Sequence, residues 1–203
     1  MTSTSKFIVF EGIDGAGKST QAALLAEALS RSGIDVVQTR NPGGCAEAEA
    51  IRNIVFDDRF EWTPLSEVFL MIAAMHVSFM RLISDKSDKW IICDRYYWST
   101  VAYQCAGAGV SKRDADDLFD ITPSIQPDLV IVLDIPPDVS TERTASRTNG
   151  NRYDRSDPKF RTSVRQSYLD QHEASPWSSV VIDGTKPQNV VHQAVMAAVR
   201  GVL

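Results

Sequence analysis

Lys6-Phe7-Ile8-Val9-Phe10-Glu11-Gly12-Ile13-Asp14-Gly15-Ala16-Gly17-Lys18-Ser19-Thr20 decides the fold. Gly12 to Ser19 fits G-x-x-x-x-G-K-[ST], a loop whose glycines let backbone N–H groups turn inward around phosphate oxygens. Lys6 to Phe10, just before it, has the length and bulk of a buried strand. Gln21 to Leu29, just after it, is rich in helix formers. Strand, glycine loop and helix in this order is the context the motif requires, and the helix N-terminus adds partial positive charge where an anion would sit. Lys18 is expected to reach the outer phosphates of a nucleotide, and the Ser19 hydroxyl to sit on Mg²⁺. Gly12, Asp14, Gly15 and Ala16, with Gly17 and Thr20, complete the expected cradle.

Outward from the loop, strand and helix patterns alternate, which predicts an α/β fold: a three-layer sandwich with a five-stranded parallel sheet between helices. The further strands are read at Asp35–Thr39, Trp90–Asp94, Leu129–Asp134 and Val180–Asp183. A helix is expected from about Ala46 to Val55. A long one starts at Thr63-Pro64 and runs to about Lys86, with Thr63 as its cap and Pro64 at its first position. A last helix begins after Pro187. Thr141 to Lys159 breaks the pattern. It is poor in apolar residues and carries Arg143, Arg147, Arg152 and Arg155. It reads as a mobile cationic lid over about 143–156, on a single domain spanning 1–203.

The whole chain narrows the possibilities. Its 203 residues suffice for one α/β domain with a proper core. A net charge of −5 disfavours indiscriminate nucleic-acid binding. Cys45, Cys93 and Cys105 are odd in number and lack metal-ligand spacing. The polar start, Met1-Thr2-Ser3-Thr4-Ser5, does not read as a signal peptide, so none is expected, and no apolar run is read as membrane-spanning. The expectation is a soluble, cytoplasmic protein with no membrane partner.

In an open parallel sheet, ligands bind beyond the carboxyl ends of the strands. Those ends carry Glu11 and Asp14, Arg40, Asp94 and Arg95, and Asp134. Asp94 suits Mg²⁺ through water, or an orienting or basic role on an acceptor. Arg95 has the planar fork that matches a phosphate. Neighbouring side chains at a strand end diverge, so the two are expected to serve separate partners. The lid arginines would supply positive charge to a migrating phosphoryl group and help to exclude water.

Together these segments resemble the thymidylate kinase family over nearly the full chain. Phe10 to Thr20 is similar to its opening signature, and Thr39-Arg40-Asn41-Pro42-Gly43-Gly44 to its second-strand loop. Asp94-Arg95-Tyr96-Tyr97-Trp98-Ser99-Thr100-Val101-Ala102-Tyr103-Gln104 resembles the central signature, and Pro127 to Asp134 the fourth-strand segment. The resemblance implies transfer of the ATP γ-phosphate to a deoxypyrimidine 5′-monophosphate, with Mg²⁺, in a homodimer. It implies that Asp14 contacts the acceptor sugar. Arg95, with Arg40 or Arg52, would hold the acceptor phosphate beside Pro42, while Ser99, Thr100, Tyr103 and Gln104 line the acceptor pocket. Arg143 would lie against adenine and Lys186 border it. Gly15 stands where some members carry the catalytic arginine, so Arg152, and after it Arg147, is expected to act from the lid.

The chain departs from that pattern on one helix. Met71 stands where the family usually has a base-stacking Phe, and Met75 where it has a base-binding Arg. Asn41 replaces a usual Glu. Two methionines one turn apart suggest an altered base choice, dTMP or a 5-substituted deoxyuridylate. Two rival functions share the phosphate loop. One is a deoxynucleoside kinase acting on a 5′-hydroxyl, which would need a base more than a cluster of cations. The other is a nucleotide switch with no acceptor, which would have no second pocket.

Overall fold

The computed structural model describes residues 5–84, 88–122, 125–145 and 152–202. Five strands form one parallel sheet: β1 (Phe7–Glu11), β2 (Val36–Arg40), β3 (Trp90–Asp94), β4 (Leu129–Asp134) and β5 (Ser179–Asp183), in the order β2-β3-β1-β4-β5. All five residues of β1 are buried, as expected for a central strand covered on both faces. The register aligns Phe10 and Arg40 with Asp94, so the carboxyl ends of β1, β2 and β3 finish together.

The helices are α1 (Lys18–Arg31), α2 (Ala46–Val55), α3 (Pro64–Ser84), α4 (Tyr97–Thr100), α5 (Lys112–Asp120), α6 (Pro137–Ala145), α7 (Pro158–Ala174) and α8 (Gln188–Arg200). α4 continues directly into a π-helical stretch, Val101–Gly107. α1 packs on α8; α3, α5 and α7 pack on the π-helical stretch. Local chemistry sets the ends. Gly33, at φ +81°, stops α1. The Thr63 hydroxyl accepts from Ser66 N at the start of α3, and Asp157 caps α7 ahead of Pro158.

The strands fall where the apolar runs put them, with shifts of one residue. β1 extends to Glu11, β2 starts and ends one residue later than read, and β5 begins at Ser179. Glu11 is tolerated inside a buried strand because its carboxylate accepts from Tyr96 N, Ser99 N and the Ser99 hydroxyl. The end of α3 expected near Lys86 lies outside the described residues.

Within the segment expected as a lid, α6 carries Arg143, Arg152–Arg155 form a 3₁₀ turn, and α7 begins at Pro158. Arg147 lies outside the described residues. Pro64–Leu82 of α3 is also long and apolar enough to cross a membrane by length and composition, with mean hydropathy 1.5, although no such run was read from the sequence. Val68, Ala74, Met75 and Phe79 on this helix are buried, while Leu65, Phe69 and Met80 are exposed. The inner face thus accounts for part of its apolar character, and an apolar outer stripe for the rest.

Candidate active site

The glycine loop is locked from below by packing that only glycine permits. Gly12 has φ +134°, and a Cβ there would run into the carbonyl oxygen of Leu133 on β4. Gly15 has φ +83°, and its Cβ would stand 3.2 Å from both Ser140 O and Arg143 Cβ. A side chain there would strain the backbone and need its α6 neighbours to give by a few tenths of an ångström. α6 holds the outside of the loop: Ser140 Oγ donates to Asp14 O at 2.6 Å, and Arg143 Nη1 donates to Gly15 O at 3.2 Å and Gly184 O at 3.0 Å.

Lys18 is buried at the start of α1, and its Nζ donates to Ile13 O at 2.9 Å. Burial first, and the Arg95 guanidinium second, push its pKa down to about 8. The Ser19 hydroxyl donates to Asp94 Oδ2. Asp94 Oδ1 is buried with no hydrogen-bond partner among the described residues. A bare carboxylate oxygen beside a serine hydroxyl is a fitting donor set for a hard cation such as Mg²⁺, which takes one or two protein ligands and completes its shell with water and phosphate. No group of three or more acidic, His or Cys side chains suited to a metal occurs among the described residues.

Arg95 follows β3 in the left-handed region, at φ 74°, a conformation costing a non-glycine residue about 1–2 kcal/mol. Its surroundings fix it there. Arg95 N donates to Phe10 O at 2.9 Å. Nη1 donates to Gly12 O, Ser99 Oγ and Tyr168 OH at 2.8–3.0 Å. Nη2 donates to Asp14 Oδ1 at 2.7 Å and Tyr103 OH at 3.1 Å. Asp94 and Arg95 thus diverge as expected, Asp94 towards Ser19 and Arg95 towards Asp14.

The carboxylates here differ in charge preference. Burial raises Glu11 to a pKa of about 7, with Arg95 only partly offsetting it. For Asp14, burial acts in the same upward sense, but Arg95, Lys18 and the Tyr103 hydroxyl together outweigh it and hold the group well below the usual carboxylate range.

A cavity of about 350 Å³ opens above these groups. Asp14, Gly15, Gly17, Lys18, Ser19 and Thr20 line it from the loop, and Arg40, Pro42, Asp94 and Arg95 from the strand ends. Arg52, Met71, Ser99, Thr100, Tyr103 and Gln104 line it from the helices. Arg40 pairs with Glu49 at 2.8 Å. Arg52 makes no ion pair among the described residues: Nη1 donates to Pro42 O at 3.0 Å, and its guanidinium lies over the Phe56 ring. Burial and the nearby Arg40 lower its pKa, so an incoming anion would relieve both.

The remaining expected residues do not line this cavity, apart from Arg147, which lies outside the described residues. Gly12 and Ala16 sit beneath the loop. Arg143 is spent on the loop and Gly184, and Lys186 pairs with Asp183 at 3.2 Å. Met75 is 2% exposed and packs in the hydrophobic core, so the paired change on one helix face reduces at the cavity to Met71 alone. Arg152 donates to Glu67 Oε1 at 2.5 Å and to Val55 O, away from the loop. Sequence reading missed Phe56, Tyr153 and Asp154, and gave Asn41 no place in the wall that it lines. Tyr153 had a signal: it is the lone aromatic residue between Ala145 and Phe160.

A family model described as thymidylate kinase matches residues 10–195. A thymidylate kinase of Dinoroseobacter shibae is 39% identical over 201 residues, covering 97% of each chain. One of Pelobacter propionicus is 37% identical, over 95% of this chain and 93% of its own. The crystal structure of thymidylate kinase from Ehrlichia chaffeensis superposes with a TM-score of 0.78 at 34% identity, covering 96% of this chain and 98% of that one.

Proposed function

This chain belongs to the thymidylate kinase family of nucleoside monophosphate kinases, and from that premise we propose that it transfers the γ-phosphate of ATP to dTMP, giving dTDP. The observation that carries the proposal is the pair of cationic ends on one cavity. Lys18 and the amide loop form one end. Arg95, Arg40 and Arg52, the last without an ion pair among the described residues, form the other. Two anionic substrates fit such a cavity; a nucleotide switch needs only the first end, and an acceptor with a neutral hydroxyl does not need the second.

In the transfer, an oxygen of the acceptor phosphate forms a bond to the γ-phosphorus while the bond to the β,γ-bridging oxygen breaks, and ADP leaves with that electron pair. The chain contributes position and charge rather than covalent chemistry. Arg95, Arg40 and Arg52 align the acceptor phosphate, and Lys18 neutralises the outer donor phosphates. Asp14, kept ionised and held by Arg95 and Tyr103, would accept from the acceptor sugar. Thr100, Tyr103, Gln104 and Met71 form the base pocket. Ser19 and Asp94 would hold Mg²⁺, which when bound neutralises charge on the donor phosphates. With an uncharged glycine at position 15, a lid arginine is the source of the remaining charge. Arg152 is the candidate, and it must leave Glu67 to act.

We also propose a homodimer through α3. Leu65, Phe69 and Met80 are exposed at 40%, 52% and 38%, and their spacing puts them on one helical stripe. A cytoplasmic setting is supported by three free cysteines.

A coupled assay of ADP release tests the function, run against the common nucleoside monophosphates, 5-substituted deoxyuridylates and the parent deoxynucleosides. dTMP-dependent ADP release, with dTDP as product and the free nucleosides inert, is expected. ATP turnover indifferent to every acceptor would overturn it.

A further inference from the structure

Glu67 lies in the first turn of α3, is 7% exposed, and stands behind the cavity wall rather than in it. Its Oε1 accepts from Arg152 Nη2 at 2.5 Å. Its Oε2 accepts from the Tyr153 hydroxyl, and from Gln104 Nε2 at 3.2 Å. A carboxylate paired with a guanidinium only accepts, so the face of the Gln104 amide turned towards it must be the NH₂ group. The Tyr153 hydroxyl gives its proton to Glu67 and accepts from the same Gln104 NH₂ at 2.8 Å. These two oxygens, Glu67 Oε2 and the Tyr153 hydroxyl, lie close together on the same side of Gln104, so its NH₂ group is turned to them and its Oε1 away. Its Oε1 has no hydrogen-bond partner among the described residues, and the side chain lines the cavity beside Thr100, Tyr103 and Met71.

We propose that Glu67 is a positioning residue for acceptor choice: by holding the NH₂ end of the Gln104 amide, it turns the amide oxygen towards the base. This rests on the function proposed above and names the base chemistry that the pocket selects. A pyrimidine whose ring nitrogen carries hydrogen, thymine or uracil, donates to that oxygen. Cytosine presents a ring acceptor at the same place, and two acceptors then face each other. An amide free to flip would serve both bases, because its two ends have nearly the same shape and opposite hydrogen-bonding sense. Discrimination therefore depends on the carboxylate behind it. The same carboxylate holds Arg152, but loss of that pair would alter turnover of every acceptor alike and leave their ratio unchanged.

The test compares dTMP with dCMP in wild type, Glu67→Gln, and the exchange variant Glu67→Gln with Gln104→Glu. Steady-state turnover gives kcat/KM for dTMP, and competition gives Ki for dCMP. In Glu67→Gln, the new amide can donate to Gln104 Oε1 and release its NH₂ towards the base. The preference for dTMP over dCMP should fall by about tenfold or more, the worth of a lost hydrogen bond and an unsatisfied buried group. In the exchange variant the amide at 67 donates to a carboxylate at 104, an acceptor again faces the base, and the preference should recover. A merely structural Glu67 predicts no such recovery. An unchanged dTMP to dCMP ratio in Glu67→Gln, with wild type active on dTMP, would overturn the inference. Wild type inactive on every monophosphate would instead overturn the proposed function.

Discussion

Arg95 and Asp14 form a part-buried ion pair at 2.7 Å that joins the end of β3 to the glycine loop, with the two side chains 16% and 15% exposed. The pair fixes the loop and Arg95 in one frame. Replacing Asp14 with Asn leaves a guanidinium short of its counter-charge. Because the pair borders the cavity, the loss should be about 1–3 kcal/mol rather than the larger value of a sealed pair. The native pKa of Asp14 is depressed, so its contribution is present above the ordinary carboxylate pKa of about 4 and fades as pH falls below it. Thermal melts should show a wild-type advantage at pH near 7 that narrows steadily towards pH ~2. A gap independent of pH would refute the electrostatic account.

Lys18 is expected to gain a proton when phosphate binds. Burial and Arg95 hold its pKa down to about 8 while its Nζ donates to the Ile13 carbonyl, and a polyanion beside it raises that value. Calorimetry of ADP binding at pH ~9, in buffers of different ionisation enthalpy, should therefore report net proton uptake that is much smaller at pH ~7. Affinity should weaken as pH climbs through 8. Lys18→Met should abolish the uptake; its persistence would assign the proton elsewhere.

Glu11 sets the opposite slope. Its folded pKa of about 7 exceeds the unfolded value of 4.5, so the folded state binds the extra proton between them. Stability from this group is full below pH ~4.5, declines as pH rises, and is gone above ~7. Glu11→Gln keeps an acceptor for Tyr96 N and Ser99 N and never ionises. Its urea midpoint should gain on wild type as pH rises from ~5 to ~8. Parallel midpoints across that range would show that the carboxyl is not titrating there.

Arg152→Ala addresses the lid. If this arginine supplies charge to the migrating phosphoryl group, kcat should drop by about 10³-fold or more while ADP affinity stays within about twofold. A modest fall in kcat would leave the residue as a tether between the lid and α3.

Phe69→Glu tests the α3 stripe. Phe69 is 52% exposed, and a charge there should shift sedimentation from dimer to monomer with little change in the melting temperature of the subunit. An unchanged sedimentation coefficient, or a monomeric wild type, would remove α3 from the assembly.

Much of this architecture was legible because it is written locally. Glycine spacing gives the loop, and continuous apolar runs give β3 and β4 to the residue. What escaped depends on distant partners. Arg152 reads as a free cation in a cationic segment, yet Glu67, 85 positions away in sequence, holds it. Met71 and Met75 share a helical face, but the cavity meets only Met71, because Met75 packs into the core. Phe56 and Tyr153 meet edge to face, at 6.2 Å between ring centroids, only once α2 and the 3₁₀ turn converge. Nothing in Val101–Gly107 announces a π-helix, since that geometry depends on what surrounds it.

The sheet order has a consequence for how this protein can diversify. β1 delivers the loop between β3 and β4, so groups from β2, β3, α2 and α3 gather on one flank, and α6 and Gly184 brace the loop from the other. Selection acting on the first flank can rewrite which monomer enters the nucleotide pool, while the fuel-handling flank is inherited intact.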